Sequence, residues 1–193
     1  MFQATGGVNT HKGIVFSLGI ICCEMGRLLK AESQFLEFEI VLNEASKICN
    51  TALEKDFEQI KKSGIAKTSG EKLYLDNAIR GIRGEAQAGF PSVKNIALPA
   101  IKKARKHGMN NNDSYLYALI KLISQVDDTC MIARSNLDTA KQAQVKAKEL
   151  LGQGNINLKK IRELDKCFIE HNLSPGGCAD LLIIAIFLHE REK

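Results

Sequence analysis

Phe38-Glu39-Ile40-Val41-Leu42-Asn43-Glu44-Ala45-Ser46-Lys47-Ile48-Cys49-Asn50-Thr51-Ala52-Leu53 places its apolar residues at steps of three and four, and the rhythm continues through Phe57 and Ile60. Residues spaced in this way share one stripe of a 3.6-residue helix, with Glu and Lys on the opposite side. The spacing predicts a long amphipathic helix from about Ser33 to Lys61. The same period recurs in almost every other segment, and none alternates at two. The chain is therefore expected to be all-α, a single-domain multi-helix bundle over residues 1–193.

Toward the N-terminus, a helix from about Lys12 to Leu29 is apolar on most of its circumference, which predicts a central buried element. Toward the C-terminus, Ser63 to Gly70 reads as a polar connection and Glu71 to Arg80 as a short helix. Four glycines and a proline between Gly81 and Val93 make a continuous helix costly, so an irregular stretch is expected there, with room for one helical turn. Helices follow over Val93–His107, Tyr115–Val126, Asn136–Leu151 and Ile156–Glu170. The last helix opens on Ser174-Pro175-Gly176-Gly177, with Asp180 expected in its first turn, where a carboxylate favours the dipole.

At 193 residues the chain can bury roughly 70% of the surface that its unfolded form exposes, so it needs no covalent staples. Its six cysteines show no CxxC pair and no zinc-finger spacing, which points to reduced thiols and a cytoplasmic protein. Cys22 and Cys23 are expected to act as small hydrophobes inside the first helix. The net charge of +5 is spread along helices and does not demand nucleic acid. The densest basic patch, Lys102 to His107, complements the end of a helix. No secretory signal is visible, and the longest apolar run, Leu181 to Leu188, is far short of the roughly 20 residues that cross a bilayer.

Chemistry concentrates in four places. Thr5-Gly6-Gly7-Val8-Asn9-Thr10-His11-Lys12-Gly13 combines glycines, a helix start and a lysine, which together suit a phosphate; a tight turn before a buried helix is the competing reading. A Walker loop is excluded, since His11 stands where that pattern needs Gly and Gly13 where it needs Ser or Thr. Arg83 and Glu85 sit on the bent glycine-rich stretch. Asp127 and Asp128 are expected at a helix C-terminus, where they oppose the dipole and call for a metal ion, Arg134 or water as compensation. Asp180 is open between capping and ligation.

Taken in order, Thr5 to Gly13, Arg83-Gly84-Glu85-Ala86-x-x-Gly89-Phe90, Asp128-Thr129 and Asn172-Leu173-Ser174-Pro175-Gly176-Gly177-x-Ala179-Asp180-Leu181-Leu182 resemble the triphosphoribosyl-dephospho-coenzyme A synthases. The resemblance spans nearly the whole chain. It implies attack of the ribose 2′-hydroxyl of 3′-dephospho-CoA on the anomeric carbon of ATP's ribose, with adenine released and the triphosphate kept intact. The product is the prosthetic-group precursor of citrate lyase or malonate decarboxylase, passed on through an acyl carrier protein transferase. Two departures stand out. The family usually carries a further helical segment before the first motif, whereas this chain starts at Met1. Where the family continues with Asn and an Arg-Gly-Gly after Asp128-Thr129, this chain has Cys130 and only Arg134.

On that resemblance, Gly6, Gly7, Lys12 and Arg83 would hold the triphosphate, with Arg134, and Asn9 and Ser174 would orient sugar or phosphate. Glu85 would serve as general base or cation stabiliser and His11 as proton carrier. Mg²⁺ is implied as cofactor, with Asp127, Asp128 and Asp180 as its ligands. Neither nucleic acid nor a membrane is implied as a partner. A chain short of its first segment is expected to expose part of the first helix and to self-associate. Two other readings stay open: an inactive remnant that retains nucleotide binding, and a helical metal-dependent phosphohydrolase releasing phosphate instead of adenine.

Overall fold

The structure is a computed structural model, and it describes residues 3, 6, 10–31, 37–152 and 158–191. Ten α-helices and one π-helical turn follow one another, with no strand among the described residues: α1 (Lys12–Ala31), α2 (Phe38–Ser63), α3 (Ser69–Asn77), α4 (Gly81–Gln87), the π turn (Val93–Ala97), α5 (Leu98–Lys106), α6 (Asn111–Ile123), α7 (Thr129–Arg134), α8 (Leu137–Gly152), α9 (Leu158–Glu170) and α10 (Gly176–Arg191). The all-α expectation holds. The stripe on α2 buries Val41, Leu42, Ala45, Cys49, Leu53, Phe57 and Ile60, while Ile48 of the same repeat faces outward at 53% exposure.

The central helix is α10, not α1. α10 packs against α1, α5, α6, α7 and the π turn, and it buries Cys178, Leu181, Ile184, Ala185 and Leu188. α1 packs on α2, α4 and α10 along one side only, so its buried residues reduce to Ser17, Ile21, Glu24 and Leu28. Val15 is 69% exposed, and Cys22 and Cys23, expected to act as small hydrophobes of a buried helix, are exposed too. Composition measures how apolar a helix is; the number of neighbours that cover it is a tertiary matter.

The glycine-rich stretch 81–93 is more regular than its composition suggests. Residues 81–87 form the seven-residue α4, and Gly89 and Phe90 then turn the chain at φ 74° and 54°. The helix predicted from Val93 begins with the π turn, in which Leu98 N–H bonds the Val93 carbonyl. Pro99 follows at once; it has no N–H to give, and its ring crowds the carbonyl four residues back, so the turn widens there. α6 begins at Asn111, before the expected Tyr115, because the Asn110 side chain accepts the Asp113 N–H at 2.9 Å and caps it.

Candidate functional site

The α3–α4 joint, the loop before α7 and the start of α10 enclose an open cavity of about 510 Å³. Glycines set how closely these pieces approach. A Cβ on Gly81, whose φ is 56°, would lie 2.8 Å from Thr129 Cγ2, and one on Gly177 would lie 3.0 Å from Asp128 Oδ1. A Cβ on Gly13 at the start of α1 would lie 2.1 Å from Asp180 Oδ2 and 4.0 Å from Ile82, which lines the cavity. These approaches bring the four sequence stretches together at one place.

Asp128 is 3% exposed and joins two helix starts. Its Oδ1 accepts the N–H groups of Cys130 at 2.8 Å and Met131 at 3.1 Å, and its Oδ2 accepts that of Cys178 at 2.8 Å. The expectation of two carboxylates opposing a helix C-terminus is therefore corrected. α6 ends at Ile123, and Asp128 is the N-cap of α7, where its charge favours the dipole. Asp127 turns to α8, bonding Lys141 Nζ at 2.5 Å and Gln144 Nε2 at 3.1 Å.

Glu85 faces the cavity from α4. Ser92 donates its N–H to Oε2 at 3.1 Å and its hydroxyl to Oε1 at 2.6 Å. Burial pushes the carboxyl above the usual range, and the Ser92 bonds counter only part of that rise. Asp180 lies in the second turn of α10, not the first, since the helix begins at Gly176. Its carboxyl is pushed up to about 6, by burial first and the Asp128 charge second, with His11 pulling the other way. His11 is thus placed at Asp180, at the start of α1.

Not every expected residue reaches the cavity. Arg83 pairs with Asp56 of α2 and lies 5.3 Å over the Phe57 ring, outside the cavity wall. Arg134 ends α7 exposed, and Ser174 lies ahead of α10 with its carbonyl accepting the Gly176 N–H at 2.8 Å; neither lines the cavity. Lys12 is the exposed first residue of α1, and Gly6 is exposed at φ 60°. Thr5, Gly7, Val8 and Asn9 fall outside the described residues. Sequence reading missed Asn77, Arg80, Ser92 and Gln125, all on the cavity wall. Arg80 stands one turn before Arg83 beside a quoted motif, which was the available signal; the other three carry none.

As a metal cage these residues fit poorly. Both oxygens of Asp128 are committed to backbone N–H groups, Asp127 is held by Lys141, and among the described residues no group of three or more His, Cys, Asp or Glu is arranged to hold an ion.

The family model of ATP:dephospho-CoA triphosphoribosyl transferase matches residues 1–193. A protein of Malonomonas rubra named "Probable 2-(5''-triphosphoribosyl)-3'-dephosphocoenzyme-A synthase" is 40% identical over 202 residues, covering 100% of this chain. The chain spans 63% of that relative's length. No solved structure matches it.

Proposed function

The chain belongs to the ATP:dephospho-CoA triphosphoribosyl transferase family, and from that premise we propose that its cavity transfers the triphosphoribosyl group of ATP to the 2′-hydroxyl of 3′-dephospho-CoA, releasing adenine. The observation that carries the reading is the meeting of Glu85, Asp128 and Gly177, from three distant stretches of sequence, around one opening, with Gly13 of the fourth packed behind its wall against Asp180 and Ile82.

In this reading Glu85 takes the proton of the attacking hydroxyl. Its burial raises its proton affinity toward the range useful near neutral pH, and the two Ser92 donors fix its orientation while leaving lone pairs for substrate. The hydroxyl oxygen forms the new bond to C1′ as the bond to adenine N9 breaks; adenine takes up a proton from solvent, and Glu85 returns the hydroxyl proton to solvent afterwards. The Asn77 and Gln125 amides on the wall are the groups available to that base. The electron-deficient sugar carbon is steadied by the negative charge of Asp128. Lys12, adjacent to the Gly13–Asp180 contact, and the Gly6 backbone supply phosphate contacts on the α1 side. His11 beside Asp180 is a second proton carrier. Mg²⁺ would enter bound to the triphosphate as its counter-ion, not in a cage of Asp127, Asp128 and Asp180. The reaction would take place in the cytoplasm on one domain, and its product would pass to an acyl carrier protein transferase.

Incubation of the chain with ATP, Mg²⁺ and dephospho-CoA is expected to release adenine in step with consumption of the acceptor. Glu85→Gln should slow turnover by about 10²- to 10⁴-fold. Phosphate release in place of adenine, or full turnover by the Glu85→Gln variant, would overturn the reading.

A further inference from the structure

Arg80 is the only Lys or Arg among the described residues that line the cavity, whose other charged groups are Glu85, Asp127 and Asp128. Its side chain is fixed on one edge. Nη1 donates to Gln87 Oε1 at 2.6 Å and to Glu54 Oε2 at 3.3 Å, and Gln87 is in turn held by Asn50 Oδ1 at 3.1 Å. The guanidinium plane lies 4.7 Å over the Phe57 ring and 5.9 Å from that of Tyr74. Nε and Nη2 donate to none of the described residues. Gly84 belongs to the same arrangement, since a Cβ there would lie 2.4 Å from Arg80 Cβ.

We infer that Arg80 is the triphosphate anchor of the cavity, gripping two phosphate oxygens with Nε–H and Nη2–H; the identity of the anion as ATP's triphosphate rests on the transferase reading above. A guanidinium already ordered by Gln87, Glu54 and an aromatic face loses little freedom on binding, and its open edge has the fork geometry that matches two oxyanions. The charge pattern also orients the substrate. Among the charges that line the cavity a polyphosphate is repelled by Asp127 and Asp128 and attracted by Arg80, so the phosphates reach Arg80 and the ribose lies beside Glu85. Arg83, tied to Asp56 and absent from the cavity wall, holds α4 to α2 and does not take this role.

The test is calorimetric titration of the chain with inorganic tripolyphosphate, alongside Michaelis constants for ATP and dephospho-CoA. Arg80→Met is expected to weaken tripolyphosphate about 10-fold or more and to raise KM for ATP similarly, with KM for dephospho-CoA little changed. Arg80→Lys should recover charge without the fork and fall between the two. Lys62→Met removes the same charge from the surface of α2 and should bind as the parent does. Parent-like tripolyphosphate binding by Arg80→Met, an equal loss in Lys62→Met, or no binding by the parent would overturn the assignment. Arg80-dependent binding in a chain that releases no adenine would sink the transferase reading and leave the polyphosphate anchor standing. Adenine release with an unchanged KM for ATP in Arg80→Met would do the reverse.

Discussion

Asp180 joins two readings that its sequence position left open. With the helix starting at Gly176 it is too far along α10 to cap it, and its carboxyl sits against the Gly13 backbone with a pKa of about 6. An acid whose folded-state value is raised prefers to be neutral in the fold. Its contribution to stability is complete below its ordinary value of 3.8 and is lost as the pH rises through about 6. Asp180→Asn is therefore expected to raise Tm at pH 8 and to change it little at pH 4, read by thermal unfolding at both values; an equal effect at the two would mean that the carboxyl titrates as it does in water. Asp128 differs in kind: three N–H groups stabilise its charge, and it holds the starts of α7 and α10 together. Both residue types were visible in sequence. Their roles were not, because a helix that ends at Ile123, three residues before the expected Val126, and a short helix that starts at Thr129 turn a C-terminal carboxylate into an N-cap.

Between elements, the fold relies on glycines where helices meet. Gly81 combines a left-handed φ of 56° with a 2.8 Å approach to Thr129, closing the α3–α4 joint on α7. Gly81→Ala adds a clash to a backbone cost of about 1–2 kcal/mol, and the urea midpoint should fall accordingly. Adding Thr129→Ala removes the clashing Cγ2 and Oγ1 and should return the steric part only. Full recovery would show that the backbone bears no cost, and no recovery would place the clash elsewhere. The π turn before Pro99 was likewise beyond a periodicity reading, since proline marks a break without stating its form.

At the scale of the molecule, the outer side of α1 is an apolar surface. His11, Ile14, Val15, Leu18, Gly19 and Cys22 line a shallow groove of about 520 Å³, and Leu29 beyond it is 54% exposed. Such a surface favours association in water. The chain is expected to gain mass with concentration in sedimentation velocity, and Val15→Glu should shift it toward the monomer with helix content unchanged; a parent chain that stays monomeric at every concentration would contradict this. The sequence by itself determined the helical class, the α2 stripe and the family, because a 3.6-residue period and the local spacing of glycine, proline and carboxylate motifs are properties of neighbouring residues. Only the tertiary structure decided that α10 and not α1 is central, that Ser92 holds Glu85, and that Arg80 faces the cavity while Arg83 turns to Asp56. Each of these depends on which surfaces distant parts of the chain bring within a few ångströms, and no local period encodes that.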